Sequence, residues 1–185
     1  WSCSPDWSFL AGWSRGNAVL WQKKRFSGDH TLEAYVGTKM DYKRETNTYL
    51  NQARQGYFAV TLCGDGKDPR SGYTGIYGYP DENGTPVSRA VILRNGEVVA
   101  STPVTARSWA SNHRVWFFLQ MEKRGNTINF TARDGGDTYQ LSFTDARPMD
   151  DGIPALWTYD NAMTVARARL DFANTPVTRT DPQVV

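Results

Sequence analysis

The stretch RVWFFLQMEKRGNTINFTARDGGDTYQLSF, residues 114–143, decides the fold class of this chain. Its apolar side chains alternate with polar ones in three consecutive runs, which is the period of half-buried β-strands. Residues 124–126 (RGN) separate the first run from the second, and residues 134–137 (DGGD) separate the second from the third. Short glycine-containing connections of this kind join antiparallel neighbours. The stretch therefore predicts a three-stranded antiparallel meander.

The same period of two continues on both sides of the meander. Asn95-Gly96 lies between two apolar runs and predicts a hairpin with a type I′ turn, because both central residues of that turn need positive φ. Further strands are predicted over residues 18–23, 31–36, 56–63, 73–79, 155–159 and 165–172. About a dozen short strands with a turn signal every 8–12 residues are typical of a β-sandwich or barrel.

Two other stretches refine this all-β prediction. Residues 115–119 are apolar on both faces of their strand, so we expect that strand to lie between two layers, as in a two-sheet sandwich. Residues 43–54 are polar and lack a helix cap, which predicts a long loop with a single helical turn.

Size and charge exclude several classes of protein. The chain has 185 residues with 21 basic and 19 acidic side chains, a formal charge of +2 that gives no strong electrostatic groove for nucleic acid. Its longest apolar runs are far shorter than the ~20 residues of a membrane span. We predict one domain over residues 1–173 and a tail or linker over residues 174–185, with the oligomeric state open.

The two cysteines and one acidic turn leave alternatives open. Cys3 and Cys63 could form a bridge between the N-terminal segment and a central strand, or could both be free, partly buried thiols. In the turn CGDGKD, residues 63–68, Asp65 and Asp68 carry the hard oxygen donors that calcium prefers. An ordinary tight turn is the favoured interpretation, structural calcium is the alternative, and no cofactor is required.

Aromatic residues make up 13% of the chain and give the clearest indication of a ligand. Most of the phenylalanines fit a sandwich core, but several tyrosines and tryptophans lie on strand faces beside polar groups. The apolar face of a pyranose stacks on such rings, and its hydroxyls need both donors and acceptors. A buried core or a cross-strand ladder is the alternative explanation of these rings. The candidate ligand-binding residues are Tyr77, His113, Arg114, Trp157, Tyr159, Asp160 and Asn161.

Catalysis on a glycan would require a pair of carboxyl groups about 5–9.5 Å apart. No predicted strand carries Glu and Asp two residues apart. Glu33, which shares a strand face with Tyr35, is the best single candidate for an acid, and Asp160 is the other. Neither has a local partner, so no catalytic pair is predicted.

The runs RVWFFLQMEKRGN, residues 114–126, and IPALWTYDN, residues 153–161, resemble motifs of bacterial concanavalin A-like domains. In those domains, as in laminin-G-like modules, a W-x-x-L-x-x-E-K-x-G-N strand precedes a G-L-W-T strand. The first matches residues 114–126 (RVWFFLQMEKRGN), and residues 153–161 (IPALWTYDN) resemble the second. The resemblance covers most of residues 26–172 and implies a two-sheet antiparallel jelly-roll sandwich whose concave face often holds glycans.

The family's members include lectins, carbohydrate-binding modules, glucanases and polysaccharide lyases, and the E-x-D-x-x-E strand of laminarinase-type glucanases is absent here. The resemblance therefore favours non-catalytic glycan or polysaccharide binding. We expect a module of a larger extracytoplasmic protein, whether secreted, periplasmic or on the cell surface. A glycan-cleaving enzyme and a structural or protein-interaction sandwich are the alternatives, since fold does not fix function.

Overall fold

The computed structural model describes residues 1–3, 7–8, 13–14, 17–38, 41–43, 48–50, 56–85, 87–105, 115–159, 161 and 163–173. The described residues form β-strands and turns, and none of them is helical. In this part of the chain, accordingly, no helix has the length and apolar character needed to cross a membrane. In chain order the strands are β1 (Ser2–Cys3), β2 (Trp7–Ser8), β3 (Trp13–Ser14), β4 (Ala18–Trp21), β5 (Phe26–Ser27), β6 (His30–Thr38), β7 (Asp41–Lys43), β8 (Thr48–Leu50), β9 (Tyr57–Gly64), β10 (Tyr73–Tyr77), β11 (Ala90–Arg94), β12 (Glu97–Ser101), β13 (Trp116–Arg124), β14 (Thr127–Arg133), β15 (Thr138–Thr144), β16 (Asp151–Tyr159) and β17 (Met163–Phe172).

The strands form two large antiparallel sheets that pack face to face. The first sheet has the order β1-β4-β16-β9-β10-β11-β12, with β5 paired to β16, and the second has the order β15-β14-β13-β6-β17-β3-β2. The predicted meander is β13-β14-β15, so the prediction of a two-sheet antiparallel sandwich is confirmed. Strands β7 and β8 form a separate two-stranded sheet, so the loop predicted over residues 43–54 is wrong where β8 lies.

The main core lies between the two sheets, and β10 is its centre. Tyr73 and Tyr77 point inward from β10 and are fully buried. Between them, Gly75 leaves room for the ring of Phe130 on β14, because a Cβ at Gly75 would lie only 2.2 Å from that ring. The ring of Phe130 therefore crosses from one sheet to the backbone of the other.

A second apolar cluster covers the outer face of the first sheet, so β9, β10 and β16 are buried on both faces. The loop of residues 65–72 folds over this face, where the Thr61 hydroxyl donates to the Pro69 carbonyl at 2.6 Å. The predicted two-layer burial of residues 115–119 is wrong for Trp116, which is 53% exposed, although Phe118 on the same face is buried. The cluster consists of Trp21, Tyr57, Ala59, Ile76, Val91, Leu93, Ile153, Ala155 and Trp157.

The two cysteines are free thiols on different strands of the first sheet. Cys3 pairs with Leu20 of β4, which pairs through β16 with Val60 of β9. Three interstrand spacings place Cys3 about 14 Å from β9, and a disulfide needs Cα atoms within about 7 Å. The hypothesis of a bridge is therefore wrong. Burial raises the pKa of Cys63 to about 12, so this thiol is unreactive near neutral pH.

Candidate functional site

Tyr77 faces the core and not the solvent. Its ring is 0% exposed and packs against Phe117 and Tyr139. Its hydroxyl donates to the buried carboxylate of Asp134, and burial together with this bond raises the pKa of Tyr77. A fully enclosed ring cannot stack on a sugar, so the prediction of Tyr77 as a binding residue is wrong. The period of two placed Tyr77 on one face of its strand, and that face is the inner one.

Trp157 and Tyr159 lie together beside a cavity of about 340 Å³ at the end of β16. Trp157 is only 3% exposed, and its indole Nε1 donates to the Thr61 hydroxyl at 3.0 Å. Tyr159 is 45% exposed and stacks on Tyr57 with ring centroids 5.1 Å apart. Tyr159 therefore carries most of the accessible aromatic surface here. We call this the β16 cavity, lined by Asn17, Val19, Asp68, Pro69, Arg70, Trp157, Thr158 and Tyr159.

Of the four remaining members of the predicted binding set, Asn161 is the one that the structure describes. Asn161 is buried, and its backbone carbonyl accepts a bond from the Thr158 hydroxyl at 3.2 Å. His113, Arg114 and Asp160 lie outside the described residues. Their predicted roles therefore stay predictions.

The acidic turn after β9 is closed by its own hydrogen bonds. Asp65 Oδ1 accepts from the backbone amides of Lys67 at 2.8 Å and Asp68 at 2.9 Å, and from the Ser71 hydroxyl at 2.9 Å. Burial opposes ionisation of Asp65, but these bonds outweigh it and lower the pKa of its carboxyl group. Asp68 Oδ1 accepts from the amide of Arg70. Both carboxylates thus act as turn caps, and in the described part of the chain no three His, Cys, Asp or Glu are grouped to hold a metal.

The outer face of the second sheet carries an exposed aromatic surface that sequence analysis did not assign. Trp116 at the start of β13 lies across Gly37 of β6, where a Cβ would come within 3.2 Å of the indole. Tyr35 of β6 is 38% exposed and packs against Phe118, with ring centroids 5.0 Å apart. We call this surface the ring face, formed by Glu33, Tyr35, Gly37, Trp116, Phe118, Gln120, Arg133 and Arg167.

Polar side chains border the rings of this face. The Glu33 carboxylate accepts a bond from Gln120 Nε2 at 2.8 Å and pairs with the Arg167 guanidinium at 3.4 Å. The guanidinium of Arg133 lies over the Phe118 ring, 4.4 Å from its centroid. These groups offer both acceptors and donors within one side-chain length of the rings. Glu33, predicted as a lone acid, is therefore part of a hydrogen-bonded network.

The alternation of apolar and polar residues in the sequence predicts part of the ring face. It placed Trp116, Phe118 and Gln120 on one face of β13 and Glu33 with Tyr35 on one face of β6. The missing information was the pairing of β6 with β13, which brings Gly37 opposite Trp116. Gly37 is the residue that indicates an exposed platform at Trp116. A small residue opposite a large ring in the ladder leaves room for that ring to lie on the sheet.

No family model and no curated protein matches the sequence. Solved structures match the fold. The exoplasmic/lumenal domain of VIP36 in its Ca²⁺- and mannose-bound form has a TM-score of 0.61 and 11% identity, covering 100% of this chain and 89% of that one. The legume lectin-like domain from Entamoeba histolytica has a TM-score of 0.61 and 9% identity, covering 94% and 90%. Xenopus laevis galectin-Ib has a TM-score of 0.51 and 13% identity, covering 84% and 100%. The chain therefore has the concanavalin A-like jelly-roll fold that these lectins share.

Proposed function

We propose that this chain binds a glycan through the ring face. The observation that carries the proposal is Trp116, a large ring that is 53% exposed on the outer face of the second sheet. Leaving so much apolar surface in water is unfavourable, and a sugar ring stacked on the indole would cover it. Because Trp116 rests on Gly37, its partner in the β6–β13 ladder, the platform is held in place before a ligand arrives.

The polar groups beside the rings match the hydroxyls of a sugar. Glu33 supplies carboxylate acceptors, Gln120 supplies an amide, and Arg133 and Arg167 supply guanidinium donors. Cation–π contacts hold both arginines close to the rings, with Arg167 5.8 Å from the centroid of Tyr35. Few side-chain rotamers would thus be lost on binding, which lowers the entropic penalty. One stacked ring and a few bonds predict micromolar to millimolar affinity.

The structural neighbours support this proposal through their fold. One form of the VIP36 domain is described as mannose-bound, and a toad ovary galectin is described in complex with thio-digalactose. With 11% and 14% identity, they support a sandwich suited to sugars and say nothing of individual residues. The VIP36 domain is also described as exoplasmic or lumenal, which supports our proposal that the present chain works as a module of an extracytoplasmic protein.

Replacing Trp116 with alanine is expected to weaken glycan binding at least about tenfold, because the main stacking surface is removed. Retardation in polysaccharide-containing gels measures this effect for a panel of polysaccharides. Tyr159→Ala is the matched control, since Tyr159 is also an exposed ring but lies in the β16 cavity. Loss of binding in Tyr159→Ala with none in Trp116→Ala would move the site to that cavity. Absence of retardation by every polysaccharide tested would contradict glycan binding itself.

Cleavage of a glycan is the second candidate function, and one observation favours it. Glu33 pairs with Gln120 across the ladder, so Glu122 lies diagonally from Glu33 on the same outer face, about 7–8 Å away between backbone positions. That spacing is compatible with a pair of catalytic carboxyl groups. However, Glu122 accepts from Asn129 and pairs with Arg124, as Glu33 does with Gln120 and Arg167. Both carboxylates are therefore better placed to accept bonds than to deliver a proton. New reducing ends that disappear in Glu33→Gln would show cleavage.

Calcium does not enter the proposed site. Asp65, the best oxygen donor of the turn after β9, already accepts three hydrogen bonds within that turn. We expect excess EDTA to leave both the melting temperature and glycan binding unchanged. A melting temperature that rises with added calcium, and no longer does so in Asp65→Asn, would contradict this expectation.

A further inference from the structure

We infer that the glycan bound on the ring face is acidic, carrying a carboxylate or a sulfate ester beside the sugar ring that stacks on Trp116. This inference rests on the glycan site proposed above and names the class of its ligand. It is carried by the distribution of charge around the exposed rings, in which one guanidinium close to Trp116 has no acidic partner among the described residues.

The carboxylates on the outer face of the second sheet are already matched to cations. Arg167 pairs with Glu33 at 3.4 Å, Arg124 pairs with Glu122 at 3.1 Å, and Arg169 pairs with Asp171 at 2.8 Å. Each of these pairs adds little net charge to the face. A ligand anion placed beside them would have to compete with a protein carboxylate for the same guanidinium.

Arg133 differs from these three arginines in its contacts. Its guanidinium lies over the ring of Phe118, and no carboxylate among the described residues comes within ion-pair distance of it. The position of Arg133 follows from the ladder, because Arg133 pairs directly with Phe118 at the end of β14. Contact with the Phe118 ring orients the guanidinium while leaving its N–H groups available for an anion.

The distance between Arg133 and Trp116 suits a single sugar unit. Phe118 is two residues from Trp116 on the same face of β13, so Arg133 lies diagonally across the ladder from Trp116, about 7–8 Å away between backbone positions. A pyranose stacked on the indole would direct an equatorial carboxylate or sulfate outward by a few ångströms. The planar fork of arginine binds either group with two parallel bonds, and such charge-assisted bonds are about twice as strong as neutral ones.

The test compares acidic polysaccharides with their neutral counterparts. Polygalacturonate and its methyl ester differ in the carboxylate, and dextran sulfate and dextran differ in the sulfate. We expect the acidic member of at least one pair to bind about tenfold more tightly, and the pair that shows the preference identifies the anion. In Arg133→Gln this preference, the ratio of the acidic to the neutral affinity, is expected to fall at least fivefold.

Arg124→Gln is the matched control because it removes the same charge from the same face. Arg124 lies eight residues from Trp116 along β13, about 26 Å away, so its replacement should leave the preference intact. An equal loss in Arg124→Gln and Arg133→Gln would show a nonspecific charge effect and overturn the inference. Equal affinity for acidic and neutral members, with binding still lost in Trp116→Ala, would also overturn the inference while leaving the glycan site in place. If Trp116→Ala changes nothing, the proposed function itself fails.

Discussion

Replacing Gly75 with alanine is expected to lower the free energy of unfolding by about 3 kcal/mol or more, which is the upper range for overpacking in a core. The added Cβ would lie 2.2 Å from the ring of Phe130 and within 2.6 Å of three of its atoms. Phe130 is completely buried on the opposite sheet, so its ring has no free space into which to rotate. Elsewhere in a strand the same change is slightly favourable, because alanine restricts the unfolded chain. Urea unfolding followed by tryptophan fluorescence measures the difference.

A second substitution separates this clash from other effects of the methyl group. Phe130→Ala removes the ring atoms nearest to Gly75 and is expected by itself to destabilise the chain by about 3–5 kcal/mol. In the double variant Gly75→Ala/Phe130→Ala the methyl group added at Gly75 occupies part of the vacated space. We therefore expect the double variant to be more stable than the sum of the single changes, by about 1 kcal/mol or more. Strictly additive losses would show that the effect of Gly75→Ala has another cause.

The sequence contained enough local information to predict the sandwich. The hairpin at Asn95-Gly96 is an example, because both residues have positive φ, 49° and 85°, as the predicted type I′ turn requires. In the predicted meander, the alternating apolar residues of β13 and β14 are likewise buried on the inner face, and those of β15 are buried or half-buried. Signals of this kind depend only on neighbouring residues, so a single sequence reveals them.

Which face of a strand points inward depends instead on the whole fold. Tyr77 and Tyr79 are two residues apart in the strand predicted over residues 73–79, and this spacing would place them on one face. The strand ends at Tyr77, and Gly78 with φ of 91° turns the chain so that Tyr79 packs against the outer cluster. The exposure of Trp116 depends on the whole fold in the same way, since the residue beneath it, Gly37, is distant in sequence. The exposed rings are therefore recognisable from the pairing of β6 with β13 and not from the period of either strand alone.

Replacing Asp145 with asparagine is expected to destabilise the fold by about 2 kcal/mol, the range for losing hydrogen bonds to a charged group. The carboxylate of Asp145 follows β15 and accepts from the Tyr73 hydroxyl at 2.6 Å and from Arg94 Nε at 2.6 Å. A third bond comes from the backbone amide of Arg147 at 2.9 Å. Since Tyr73 and Arg94 belong to the first sheet, Asp145 links the two sheets. Asp171→Asn is the control, because Asp171 pairs with Arg169 on the surface and such a pair contributes at most about 1 kcal/mol.

The same carboxylate makes stability depend on pH in a predictable direction. Burial opposes ionisation of Asp145, but the bonds from Arg94 and Tyr73 outweigh it and lower the pKa of Asp145 to about 2. The unfolded chain has the ordinary aspartate pKa of about 3.9, so the stabilisation is present above that pH and is lost as the pH falls towards 2. The loss should be on the order of 1–2 kcal/mol, since Arg94 is partly exposed and solvent screens its share. Urea midpoints between pH 5 and 2 should therefore fall more steeply for the natural chain than for Asp145→Asn. Parallel slopes in the two chains would show that Asp145 is not the titrating group.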